Sequence, residues 1–503
     1  MNAVPMPRRA NLWWVLCAIL CLPLFSMVVF PLADTSEPRY AEIARVMMQS
    51  GDWITPWFEP GVPFWGKPPL SFWAEALSFK LLGISEFTAR LPSWLATLAT
   101  IALIISYTRT NYGERAAKLA AIIYASCALA YISSAAVLTD PFLALGTTLA
   151  MTGLIMAEKK PTLLWRYSFF IGLVIGLLAK GPLALVLVGG AIAPWLCLHK
   201  SARTTLKALP WGRGLLLTTA LSLPWYIAAE LKTPGFLNYF IVGEHFLRFI
   251  DSGWKGDLYG SPHSRIHGTI WYYWIQASFP WGLIAIAIAL RTIFSPSRRP
   301  ALSAALRNPD ICYLLAWALF TPVFFTLAGN ILWTYLLPAL APFSILMATA
   351  LQKWMDRNQA ASLKALLLAG IAPITALLLT LAVWMQPNLI NTEQGLVYYA
   401  KSNMQHQERL FFVDKQPFSA RFYSRGTAEN VALDQIPQLL AGSTGIYLAV
   451  PKNMVDDVSK KLPGSIQKTY QDGRYVLIYI PQQHNLAAAK DTSPAPVAGT
   501  AVQ

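Results

Sequence analysis

The chain has 503 residues, 55% of them hydrophobic and 13% charged, with a formal net charge of +15. Soluble domains carry about 25% charged residues, so this apolar excess demands a bilayer and excludes a soluble enzyme. The positive balance is not a nucleic-acid footprint, because Lys and Arg gather in short loops between apolar runs.

Arg8 and Arg9 precede an apolar run from Leu12 to Leu32. The run is long for a signal peptide and no clear small-x-small site closes it, so it reads as a retained first helix. Further runs of spanning length fall at 90–108, 116–137, 141–157, 164–180, 182–198, 211–229, 271–290, 311–328, 333–351 and 364–385. The fold class is therefore an all-α polytopic membrane bundle of about 11–13 transmembrane helices, with residues 1–385 as its membrane domain. With the N-terminus in the cytoplasm, every cytoplasmic loop is basic; Lys159, Lys160, Arg166, Arg298 and Arg299 are examples. The opposite face then receives two long loops, 33–89 and 230–270, and everything after 385.

Residues 386–483 change character. Leu410–Val413, Gly445–Val450 and Tyr475–Ile480 read as strands, Met454–Lys461 as a short helix and Asp472-Gly473 as a turn. This predicts a small α/β domain outside the membrane. The Ala/Pro/Thr-rich tail 484–503 has no apolar period and is expected to be disordered. The cysteines Cys17, Cys21, Cys127, Cys197 and Cys312 lie in or beside apolar runs with no Cys-x-x-Cys, so neither a disulfide nor a thiolate metal site is expected.

The loop 34–73 is too polar to span and too patterned for a linker. Ala41–Gln49 fits a short helix with Ala41, Ala44 and Met48 on one face and Glu42 and Arg45 on the other, expected to lie on the membrane surface. Trp53, Trp57, Phe58, Phe64, Trp65, Phe72 and Trp73 suit the headgroup level.

Here a resemblance enters. Arg39-Tyr40-Ala41-Glu42, Ser50-Gly51-Asp52-Trp53 and Lys67-Pro68-Pro69-Leu70 resemble the first outer loop of bacterial GT-C glycosyltransferases of family 39. That superfamily includes protein O-mannosyltransferases and the lipid A aminoarabinose transferase. Leu138-Thr139-Asp140-Pro141, Ala179-Lys180-Gly181-Pro182, Glu244-His245, Arg248-Phe249, Trp271-Tyr272-Tyr273 and Thr334-Tyr335-Leu336-Leu337-Pro338 continue it in the family's order. The resemblance implies a glycosyltransferase of the bacterial inner membrane. Its implied donor is a polyprenyl-phosphate-linked sugar, and its acceptor a lipid, glycan or protein. Membrane lipid is a partner and nucleic acid is not.

Such transfer needs a base for the acceptor hydroxyl, cations for the leaving phosphate, and shielding of an oxocarbenium-like carbon. Asp34, Glu37 and Asp140 are the candidate catalytic carboxylates. Asp34-x-x-Glu37 also resembles a helix-starting box, and Asp140 before Pro141 also suits a helix N-cap. Arg39, Lys67 and Arg248 are candidates for the donor phosphate, although Lys67 also fits a snorkelling lysine and Arg248 an i,i+4 pair with Glu244. Tyr40, Lys180, His245 and Tyr335 complete the candidate substrate-binding set, with Lys180, at the outer end of a span, also fitting a snorkelling lysine.

Three positions depart from the family pattern. Ser36 stands where the lipid A branch has its catalytic Asp, leaving Asp34 and Glu37 as alternative bases. Gly66 stands where that branch pairs a Glu with the histidine for a divalent metal, so no cofactor is required by this set. The stretch Gly329–Trp333, around Asn330, has no Lys or Arg where relatives often carry one. The alternative readings are a polyprenyl-linked sugar transporter, which predicts midplane charges and repeat symmetry, and a non-catalytic glycolipid-binding protein.

Overall fold

The computed structural model describes residues 12–251, 253–260, 263–295, 299–355, 359–441, 445–462 and 467–481. The expected tail 484–503 lies outside them. The described residues divide into two compact units. One runs up to Phe30 and resumes at Ile43–Met385; the other joins Pro31–Glu42 to the residues from Gln386 onward. Residues 31–42, which the sequence reading left in the first outer loop, thus count with the C-terminal unit.

The first unit is helical. Among the described residues, 8 helices are long and apolar enough to cross a membrane, and two bent pairs raise this to 10. Leu183–Leu198 is apolar but shorter. Two runs expected as single spans are broken. The run 116–137 becomes Glu114–Ser126 and Ala128–Ser134, bent by 72°. The run 271–290 becomes Thr269–Ser278 and Trp281–Phe294, bent by 114°. Pro280 explains the second break: it donates no N–H and holds Phe279 extended, at φ −57° and ψ 138°. The two breaks stitch to each other. Ala128 N–H donates to the Phe279 carbonyl at 2.9 Å, and Trp281 Nε1–H to Ser126 Oγ at 2.9 Å. Backbone freed at a break inside the bundle thereby finds a protein partner.

Asp140–Lys159 and Leu163–Lys180, an antiparallel pair, approach each other closely. A Cβ on Gly172 would lie 2.4 Å from Ala150 N, and one on Gly146 2.7 Å from Gly176 N. Small residues at the crossing let the backbones touch. Because the pair is antiparallel, the first residue of one helix, Asp140, comes to the last residue of the other, Lys180.

The expected surface helix is Ser36–Ser50, and its polar face is not open: Glu42 and Arg45 are buried along with Ala41, Ala44 and Met47. Packing on both faces overrides the amphipathic reading. In the loop that follows, Trp57–Glu59 (β1) and Val62–Pro63 (β2) form a small antiparallel hairpin.

The second unit carries a five-stranded sheet. Its strands are Arg409–Val413 (β3), Glu429–Val431 (β4), Ile446–Pro451 (β5), Gln467–Asp472 (β6) and Tyr475–Ile480 (β7), in the order β4-β3-β5-β7-β6. β3 runs parallel to β4 and β5, while β7 is antiparallel to β5 and β6. Phe411, Val413, Ile446, Leu448, Val450, Val458, Val476 and Ile478 pack as its core. The expected Met454–Lys461 helix is observed as Val455–Lys461.

Candidate functional site

Asp140 opens its helix just after Thr139, and Thr139 makes no side-chain cap. The Asp140 carboxylate instead meets Lys180 Nζ at 2.7 Å, with both side chains 7% exposed. Lys180 therefore does not snorkel; it is a buried half of an ion pair. Gly181 follows at φ +68°, and a Cβ there would lie 2.6 Å from the Phe240 ring. Only glycine suits that backbone and that approach. Lys180 Nζ also sits 4.8 Å from the centre of the Tyr335 ring.

A π-helical turn, Asn238–Leu247, presents Glu244 and His245. His245 is a strut: Nδ1 lies 2.7 Å from the Phe240 carbonyl and Nε2 lies 3.0 Å from the Lys180 carbonyl. Burial lowers the His245 pKa below the usual histidine range, against the pull of the two carbonyls. Glu244 accepts from Arg248 Nη1 at 2.9 and 3.1 Å, from Tyr239 Oη at 3.4 Å, and lies 3.5 Å from Lys67 Nζ. Burial pushes its carboxyl up, but Lys67 and Arg248 outweigh that and leave it below the usual carboxylate range. Asp257 adds a second contact to Arg248, at 3.5 Å.

These groups border one cavity of about 90 Å³, with Lys67, Lys180, Glu244, His245, Arg248, Asn330 and Tyr335 on its polar side. Leu183, Phe240, Phe249, Phe324 and Phe325 form its apolar side. Phe249 stacks on Phe324 at 4.8 Å, and Phe325 lies 4.9 Å from Tyr335. At about 30 Å³ per water, the cavity has room for a few waters or one small polar head. Three cations beside an aromatic wall can bind an anion that carries an apolar tail.

Of the sequence candidates, the first unit thus brings together Lys67, Lys180, His245, Arg248 and Tyr335, with Asp140 behind Lys180. The other four lie in the second unit. There, Asp34 Oδ1 accepts from Ser419 N–H at 2.8 Å. Its Oδ2 accepts from Ser419 Oγ at 2.7 Å and from Arg474 Nη2 at 2.6 Å. Arg474 is shared with Glu393, and both carboxylates are 2% exposed. The Arg39 guanidinium stands 5.1 Å from the Tyr40 ring and 5.8 Å from that of Phe418. Glu37 lies in the first turn of Ser36–Ser50.

Sequence reasoning missed Glu244 as the centre of the cationic group, having read it only as the i,i+4 partner of Arg248. It also missed Asp257, for which a charge in a loop is no signal, and the wall of Phe249 and Phe324.

Comparison with known proteins adds a second line. Residues 12–240 match the family described as dolichyl-phosphate-mannose-protein mannosyltransferase. The undecaprenyl phosphate-alpha-4-amino-4-deoxy-L-arabinose arabinosyl transferase of Edwardsiella ictaluri is 32% identical over 74% of this chain and 66% of its own length. The protein of the same description from Aeromonas hydrophila is 30% identical over 65% of this chain and 58% of its own. The chain thus spans less than two thirds of the length of these curated relatives. The crystal structure of ArnT from Cupriavidus metallidurans bound to undecaprenyl phosphate superposes with a TM-score of 0.74 at 17% identity, over 94% of this chain and 98% of that one. At that identity the likeness speaks for the fold alone.

Proposed function

We propose that this chain, whose residues 12–240 match the dolichyl-phosphate-mannose-protein mannosyltransferase family, is a membrane glycosyltransferase. It moves a sugar from an undecaprenyl-phosphate donor to an acceptor on the outer face of the bacterial inner membrane. In this reading the N-terminus is cytoplasmic and the C-terminal unit periplasmic. The relatives favour a 4-amino-4-deoxy-L-arabinosyl donor, and lipid A is the acceptor to test first.

One observation carries the reading: Lys67, Lys180 and Arg248 converge on a cavity whose other side is aromatic. In the reaction the bond from the anomeric carbon to the phosphate oxygen breaks, and its electron pair leaves with the lipid phosphate. A new bond forms from the anomeric carbon to the acceptor oxygen. A hydroxyl acceptor gives its proton to a carboxylate; an ionised phosphate acceptor has none to give. Lys67, Lys180 and Arg248 hold the leaving phosphate. Cationic side chains supply the charge, and no metal is needed in this scheme.

Asp34, Glu37 and Asp140 remain the candidate bases. Asp34 already accepts three hydrogen bonds, which leaves its carboxylate about one lone-pair site for a proton. Asp140 would have to loosen its pair with Lys180.

The test uses the purified full chain in lipid nanodiscs, an undecaprenyl-phosphate aminoarabinose donor and lipid A, with the acceptor weighed by mass spectrometry. The expected result is an acceptor heavier by one sugar residue, with turnover lost in the Lys67→Gln, Arg248→Gln double variant. Wild-type protein that binds donor yet leaves lipid A, glycans and envelope proteins unmodified would favour the binding or transport readings instead.

A further inference from the structure

Asn330 is 5% exposed and borders the cavity. Its orientation is fixed from behind. Ser264 and Asn330 form an isolated antiparallel bridge. Arg265 N–H donates to the Gly329 carbonyl at 2.7 Å, and Ile331 N–H to the His263 carbonyl at 3.3 Å. Within this clamp, the Asn330 Oδ1 accepts from His263 N–H at 3.2 Å. A backbone N–H can only donate, so the side-chain oxygen must face it and the NH2 must face the other way. That Nδ2 is buried and has no hydrogen-bond partner among the described residues. An amide NH2 buried without an acceptor is costly, and native structures rarely keep one without a use.

The geometry points to Asn330 as a phosphate-reading residue: its amide NH2 donates to a non-bridging oxygen of the polyprenyl phosphate held by Lys67, Lys180 and Arg248. This rests on the proposed function and adds to it a neutral donor. The NH2 has donors and no acceptor capacity, so its partner must present a lone pair. The carboxylate on the cavity wall, Glu244, is already engaged by Arg248 and Lys67. An incoming phosphate oxygen is the acceptor chemistry that matches three cations and an amide.

The experiment measures binding of undecaprenyl phosphate and of undecaprenol to the full chain in nanodiscs. Wild type, Asn330→Ala and Asn330→Asp are compared, with thermal unfolding of each. A hydrogen bond to a charged group corresponds to a loss of about 10- to 100-fold in affinity when the donor is removed. Asn330→Ala should lose that much for the phosphate and nothing for the alcohol. Asn330→Asp keeps an oxygen towards His263 N–H, so the clamp survives, but it presents a carboxylate to the phosphate and should bind it more weakly than Asn330→Ala does. Equal losses for phosphate and alcohol, or undiminished phosphate binding by Asn330→Asp, would overturn the assignment while leaving the glycosyltransferase reading intact. If wild type itself shows no preference for the phosphate over the alcohol, the proposed function fails and this assignment with it.

Discussion

The pair between Lys180 and Asp140 joins the ends of two closely packed helices, and its removal one partner at a time is the sharpest test of the architecture. At 2.7 Å and an effective dielectric of about 20, the bare attraction is about 6 kcal/mol. Most of it is cancelled by the desolvation of two side chains that are each 7% exposed. Removing one partner leaves the other charge buried without its counter-charge, which costs about 3–5 kcal/mol. Asp140→Asn and Lys180→Met should each lower stability by that amount in denaturant titrations of the detergent-solubilised protein. The double variant buries no charge at this place and should fall far short of the sum, with a coupling of at least about 2 kcal/mol. It should regain stability but still bind lipid phosphate weakly, because Lys180 is gone. Single effects that add to within about 0.5 kcal/mol would refute the reasoning, since independent sites behave that way.

At the same helix crossing, Gly172→Ala puts a Cβ 2.4 Å from Ala150 N and should cost about 1–3 kcal/mol, whereas Gly189→Ala, with nothing within 4 Å, should be neutral or slightly stabilising in the same titration. His245 gives a pH signature. Its folded-state pKa is lowered, so the unfolded chain takes the proton first and stability falls as pH drops below about 6.5. Unfolding midpoints measured from pH 7.5 to 5.5 should show that slope in wild type and a flatter one in His245→Gln; equal slopes would mean that His245 titrates normally.

Membrane crossing was legible because the bilayer imposes a length and an apolar composition on each span, and the runs at 141–157 and 164–180 correspond to Asp140–Lys159 and Leu163–Lys180. The break at Cys127 was not, since composition is continuous across it and only tertiary stitching stabilises the bend; the break at Phe279-Pro280 had a signal in Pro280, which the continuous apolar run masked. In the second unit the same logic separates strands. The central β3, β5 and β7 are covered on both faces and read as unbroken apolar runs. The edge strands β4, Glu-Asn-Val, and β6, Gln-Lys-Thr-Tyr-Gln-Asp, are polar as edges tend to be. At the site, residue types were legible and partners were not. Lys67 and Glu244 are 177 positions apart, and no spacing rule reaches that far. Asn330 was visible only as the lack of a charge, and its use depends on which way the amide faces.

The charge pattern of the cavity bears on turnover. Each of its cations has a carboxylate partner: Asp140 for Lys180, and Glu244 shared by Lys67 and Arg248, with Asp257 also beside Arg248. A cavity so balanced holds together with no anion bound. On the proposed reaction the donor is a phosphodiester with one negative charge, and the leaving lipid phosphate is a monoester carrying about 1.5–2 at neutral pH. Three unopposed cations would grip that product more tightly than the donor and slow its release. The carboxylates temper this grip, because the phosphate must compete with them for Lys67 and Arg248. A neutral amide such as that of Asn330 adds recognition without adding to the excess affinity for the more highly charged product. On the proposed reaction the carboxylates of this cavity would therefore act on release of the lipid phosphate as well as on the fold.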